Sequence, residues 1–370
     1  MLIISGCIFA QNPSPKRDQK TKPPPLTSHV ILILIDGLQS EDLRNPKLKI
    51  PTLQAMRERG AFALNVESIY PSQALPVQAT IISGMLPADH GVTADAPFDE
   101  KTGKTSTEKF HAAAELKADS IWQAAKRAKL KTVAVNFPFI SESEGATDPI
   151  RMDKLFEKDQ PHLFLLRFDE VATSIQRFGI GSPEAMAATE TVDATLKMIQ
   201  ESVEQAKLIN ETTFLIVSGH SFAKVDQVFR PNLVLARKGF LAVTPTGNIT
   251  SWIAATHTSG GSAAIYLRDQ ANEELAKTLE TLFGELHKTE GSPIWRVLSK
   301  KDGARLGADP RAALFLEAAP GFIFSEQVTG KKVIEKLDPT ESRAAAGYLP
   351  SRSEMRGLIL AVGKGINSKT

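Results

Sequence analysis

The sequence predicts an α/β fold: a doubly wound, mostly parallel sheet flanked by helices, with a smaller inserted cap lobe. Three observations predict it. Short apolar runs rich in β-branched residues alternate with amphipathic stretches from His29 to Ser218, the order expected of βαβ units. HVILILI (His29–Ile35) is apolar almost throughout, as a strand buried on both faces of a parallel sheet must be. SPEAMAATETVDATLKMIQESVEQAK carries apolar residues at helical spacing, opens on Ser182 as cap with Pro183 in the first turn, and is long enough to cross a sheet face.

Taken in order, the chain starts with LIISGCIFA (Leu2–Ala10), an apolar run shorter than the roughly 20 residues a bilayer requires. It reads as the core of an export signal, with cleavage after Ala10 or lipoprotein processing and a lipid anchor at Cys7; either route makes the protein periplasmic or secreted. The stretch NPSPKRDQKTKPPPL is rich in Pro and Lys and buries nothing, so residues 1–27 are a signal remnant and tether. The main domain is expected over 28–232. Within it HVILILI is followed by a helix at TLQAMRERG, ended by Gly60, and by strands at KTVAVNF, HLFLLRF and TTFLIVS. Trp122 belongs to a helix before KTVAVNF and is read as core packing. From 233 to 324 the alternation loosens, and TPTGN and SGGS turns appear. This segment is the expected smaller lobe, with THTSGGSAAIYL as one of its hairpins. Residues 325–370 return to the main domain.

Composition narrows function. With 370 residues and 42% hydrophobic content the chain can bury a sizeable core. The 44 Lys and Arg nearly balance 42 Asp and Glu, so there is no global field for nucleic acid. The single cysteine, Cys7, allows no intrachain disulfide and no thiolate metal cage. Any metal would rest on His, Asp and Glu.

Ligands of open α/β sheets bind beyond the carboxyl ends of the strands. The positions there are Asp36, Ala172, Gln176, Gly219 and His220, with the loop that holds Ala74. Asp36, ending a strand in LIDGL, can hold a cation, and His220 ends a second strand in VSGHSF.

Together, LILIDGL, YPSQALPVQATIISGMLPADHGV, FGIGSPEAM, VSGHSF and AAAGYLPSRSEM resemble, in order and approximate spacing, the motifs of the bacterial type I phosphodiesterase/nucleotide pyrophosphatase family of the alkaline phosphatase superfamily. The resemblance runs from about His29 to Ile366. It implies an alkaline phosphatase-like fold and a hydrolase chemistry in which two zinc ions flank a threonine nucleophile. Two cations roughly 3.5 to 4 Å apart stabilise attacking and leaving oxygens at a shielded phosphorus, and each needs three or more N or O donors.

Carried over position by position, the resemblance puts the nucleophile at Ala74 and a nearby His at Gln78. The ligand positions are Asp36, Ala172, Gln176, Gly219, His220 and Ala346, of which Asp36 and His220 keep a donor. The phosphate-binding Asn falls on Asp95, whose charge repels an anion. A phosphate ester needs its barrier lowered by about 20 kcal/mol or more, and the retained groups do not supply that.

The expectation is therefore a phosphodiesterase/nucleotide pyrophosphatase-like pseudoenzyme that binds a ligand or partner in the ancestral cleft, with at most one loosely held zinc ion. The ligand is phosphate-bearing only by family analogy. Two alternatives stand beside it. One is an active metal-dependent phosphodiesterase with displaced ligands, Asp169 or Glu170 taking up the metal. The other is a serine hydrolase using Ser221 in GHSFA, with Asp269 and His287 or His257 as partners.

Overall fold

The computed structural model describes residues 26–110, 112–140, 156–338, 340 and 342–367; Cys7 and the Leu2–Ala10 run lie outside them. Strand β1 (His29–Ile35) is central in a six-stranded sheet that also contains β2 (Ala61–Val66), β3 (Thr132–Val135), β4 (Leu163–Phe168), β5 (Thr212–Ser218) and β11 (Gly357–Gly363). The order is β2-β11-β5-β1-β4-β3. β1 runs parallel to β4 and β5, and β3 parallel to β4, whereas β11 is antiparallel to both of its neighbours. The doubly wound expectation holds.

The period of two along β1 divides the core. Ile31, Ile33 and Ile35 face one cluster, with Leu53 and Met56 of α1 (Pro51–Arg59) and Val192, Leu196 and Ile199 of α5 (Pro183–Gln205). Leu32 and Leu34 face a second, with Leu75, Ala79 and Ile82 of α2 (Ala74–Ser83) and Trp122 of α3 (Ile121–Arg127). Helices therefore cover both faces. α5 starts as its sequence dictates: Ser182 Oγ accepts the Ala185 N–H at 3.2 Å and Pro183 stands in the first turn. α4 (Glu170–Phe178) follows β4 after a single residue and packs on α5.

After β5 the chain makes β6 (Ala223–Phe229), the centre of a small sheet with Gly321–Phe324, Ile334–Lys336 and Ala344–Ala345. A separate antiparallel sheet has the order β7 (Ala254–Ser259), β8 (Ser262–Leu267), β10 (Leu314–Ala318) and β9 (Ile294–Ser299). β7 and β8 pair from Ser259 and Ser262 across the Gly260-Gly261 turn. Ile265 and Leu316 of this sheet join the same cluster as Ile31 and Ile33, so the antiparallel strands share a core with the parallel ones.

Candidate functional site

Three strands end side by side. Because Ile35 pairs with Phe168 and Leu34 with Val217, Asp36 follows β1 next to the ends of β4 and β5. On β1 the residues Leu32 and Leu34 look toward α2, and Asp36 is next in that alternation. On β4 the same face carries Leu163 and Leu165, then Arg167. α2 lies over both, bringing Gln78.

The result is a buried knot. Arg167 Nε donates to Asp36 Oδ2 at 2.8 Å, Gln78 Nε2 donates to the same oxygen at 2.8 Å, and Arg167 also pairs with Asp169 at 3.2 Å. Asp36 is 1% exposed and Gln78 fully buried. Burial pushes the Asp36 carboxyl up to about 6, against the opposing pull of Arg167 and Gln78. Asp36 Oδ1, Gln78 Oε1 and His220 Nδ1 have no hydrogen-bond partner among the described residues. His220 is buried against Phe222, with ring centroids 5.5 Å apart, and burial holds its imidazole down at about 4, neutral at pH 7.

Of the other positions expected from sequence, Ala172 and Gly219 lie at the strand ends beside this knot. Ala172, on α4, lies against the end of β1: a methyl on Gly37 would come within 3.0 Å of Ala172 Cα. Gln176 is exposed, and its carbonyl accepts the Arg343 N–H at 2.8 Å and the Ser342 hydroxyl at 3.3 Å. Gly219 continues the α2-facing side of β5. A Cβ there would stand 2.1 Å from Val77 Cγ1 and 3.3 Å from Ile81 Cδ1, so α2 rests where an aspartate side chain would have to emerge. Ala346 accepts the Gly261 N–H at 3.0 Å, and the next residue, Gly347, donates to Ser72 O at 2.7 Å. Gly347 has φ +90, and a Cβ would fall 1.6 Å from Ser259 O, so no other residue fits that seam.

Ala74 opens α2 and brings no hydroxyl. Asp95 accepts the Leu75 N–H in the same turn at 2.9 Å, and its own N–H donates to Gln73 Oε1 at 3.2 Å. Part of Asp95 stays open to solvent, yet dense packing round the carboxylate pushes its carboxyl up, the Leu75 bond opposing. An internal carboxylate thus already serves the partial positive charge of the helix start.

Zinc does not fit these residues. Among the described residues no group of three or more His, Cys, Asp or Glu side chains is placed to hold a metal ion. One oxygen of Asp36 is already shared by two N–H donors. A dication about 4 Å from the guanidinium would meet a repulsion on the order of 8 kcal/mol at an effective dielectric near 20. Asp169, one of the displaced ligands considered from sequence, is the second partner of Arg167, and Glu170 lies in the first turn of α4.

The serine hydrolase arrangement requires a correction. The elbow needs a helix after the serine, and strand β6 follows instead. Ser221 Oγ accepts from Gln39 Nε2 at 2.6 Å, its one bond among the described residues. Its proposed partners are engaged elsewhere. His287 Nδ1 is 3.0 Å from Ile294 O, Asp269 accepts the Ala271 N–H, and His257 stacks on Phe98. Sequence reasoning missed Arg167. Its signal was a lone charge at the penultimate position of the otherwise apolar HLFLLRF.

Comparisons with known proteins give the family and the fold. The profile of the type I phosphodiesterase/nucleotide pyrophosphatase family matches residues 30–154 and 144–342. Human ectonucleotide pyrophosphatase/phosphodiesterase family member 1 is 24% identical over 217 residues, covering 52% of this chain and 23% of that protein. Venom phosphodiesterase CdcPDE of Crotalus durissus collilineatus is 23% identical over 221 residues, covering 54% and 27%. The chain thus spans about a quarter of the length of these curated relatives. Among solved structures, murine ectonucleotide pyrophosphatase/phosphodiesterase 5, as an inactive threonine-to-alanine variant in complex with AMP, superposes with a TM-score of 0.67. It is 18% identical and covers 92% of this chain and 89% of its own. With a profile match over most of its residues and this fold almost end to end, the chain belongs to the type I phosphodiesterase/nucleotide pyrophosphatase family.

Proposed function

We propose that this family member is catalytically impaired: it binds in the ancestral cleft and does not cleave. The observation that carries the reading is the start of α2, where Ala74 offers no nucleophile and the neighbouring strand ends offer no three-donor metal group. Without a hydroxyl there is no covalent route, and without metal the charge that builds on a transferring phosphoryl group has no counter-ion. The AMP complex of the threonine-to-alanine variant of the murine relative supports binding without turnover, and AMP is the first ligand to try. Export, by cleavage after Ala10 or through a lipid anchor at Cys7, is part of the proposal and rests on the N-terminal sequence.

The test is metal analysis of the purified protein together with turnover of an aryl nucleotide phosphodiester in added zinc. The expected result is less than one zinc per chain and no turnover above background. About two tightly held zinc ions with multiple turnovers would overturn the proposal. Labelling by a fluorophosphonate that Ser221→Ala abolishes would replace it with the serine hydrolase.

A further inference from the structure

The carboxylate at the end of β1 is buried, so some cation or donor set must compensate it. A parallel sheet with helices on both faces brings few charges to such a point. Here one arrives on the adjacent strand, at a position whose alternation turns it toward the same helix. Arg167 is 17% exposed at its side chain, Asp36 2%, and the fork of the guanidinium bridges Asp36 to Asp169. Gln78 donates to the oxygen that Arg167 uses. Val77, one residue away on α2, closes the space beside Gly219. The Oδ2 oxygen of Asp36 is thus compensated within the protein, by Arg167 of β4 and Gln78 of α2, with Asp169 at the start of α4 holding the guanidinium from its other side.

We infer that the guanidinium of Arg167 is the resident cation of this cleft, and that it excludes a divalent metal ion from Asp36. The loss of the metal is then an exchange of one cation for another. Arginine suits it because its charge is permanent and its donors are planar and paired, whereas a metal ion can leave. The inference deepens the proposed function and rests on the reading of the cleft as metal-free.

The experiment titrates Zn²⁺ alone, by calorimetry and by thermal melting, into chelator-treated full-length wild type, Arg167→Ala and Arg167→Ala/Asp36→Ala. Wild type should show no zinc-dependent rise in melting temperature. Arg167→Ala should bind zinc at least tenfold more tightly than wild type and melt higher in its presence, and the double variant should lose that gain. Equal zinc affinity in wild type and Arg167→Ala, whether tight or absent, would overturn the inference. If Arg167→Ala does not fold, stability decides: Arg167→Ala/Asp36→Ala should fold, because the unpaired carboxylate is gone. Failure of that rescue would also overturn it. The two proposals fail separately. Zinc held by wild type without turnover removes the role of Arg167 and leaves the impaired family member standing, while diester turnover by wild type removes the latter.

Discussion

Replacing Gly219 with alanine adds one methyl group where α2 presses on the end of β5. The new carbon would lie 2.1 Å from Val77 Cγ1, against a normal carbon contact of about 3.5 to 4.0 Å, so helix or side chain must retreat by about 1.5 Å. Val77 is 4% exposed and lies against Gly219 where α2 meets the end of β5. Overpacking of this kind costs about 1–3 kcal/mol, and the entropy lost from the unfolded chain returns about 0.4–1. The net loss should be about 1–2 kcal/mol. Val77→Ala alone removes two buried carbons, about 1.6 kcal/mol at about 0.8 each. If the two sites share one space, Gly219→Ala/Val77→Ala will be close to Val77→Ala alone, a coupling of about 1 kcal/mol or more. Urea denaturation followed by fluorescence of Trp122, Trp252 and Trp295 measures all four proteins. Additive losses, or a neutral Gly219→Ala, would refute the contact and with it the steric bar to an aspartate at this position.

Three further outcomes are expected. Burial pushes the Glu317 carboxyl from its ordinary 4.5 up to about 8, so the folded protein keeps a proton that the unfolded chain releases. Stability must therefore fall as pH rises from about 4.5 to 8, by roughly 5 kcal/mol at most; Glu317→Gln should remove that slope in denaturation series between pH 5 and 9. Asp95→Asn takes a negative charge from the first turn of α2 and should raise AMP affinity by about tenfold, close to 1.4 kcal/mol, in calorimetric titration. Ala74→Thr should restore no turnover of an aryl nucleotide diester, because a hydroxyl without metal is no better than water; recovery above background would show that the nucleophile alone was missing.

Where structure follows from local chemistry, it was legible. HVILILI forms β1 to the residue, and Ser182 with Pro183 starts α5 where capping demands. KTVAVNF yields a shorter strand because Asn136 turns to φ +52 and Lys131 N–H goes to His162 Nδ1. The cleft was only half legible. The positions to inspect could be named from sequence, but not what packs against them: Arg167 and Asp36 stand 131 residues apart, and nothing near Gly219 in the chain announces Val77. The sign of Asp95 foretold repulsion of an anion, while its bond to Leu75 depends on a loop meeting a helix. For Ser221 the missed evidence was local. AKVDQVF alternates with a period of two, buried and exposed at its start, which marks a strand and excludes the helix an elbow requires.

The place of β11 bears on how the molecule is made. Gly357–Gly363 is sandwiched between β2 and β5, bonded to both, although nearly the whole chain precedes it. During synthesis those two strands have already been produced and expose unpaired edges facing each other across a gap. Pairing between such distant segments is slow to form, and open edges invite other chains. The sheet therefore closes last at its interior, and a stop codon before residue 357 would release a protein with two sticky borders in place of a shorter functional one.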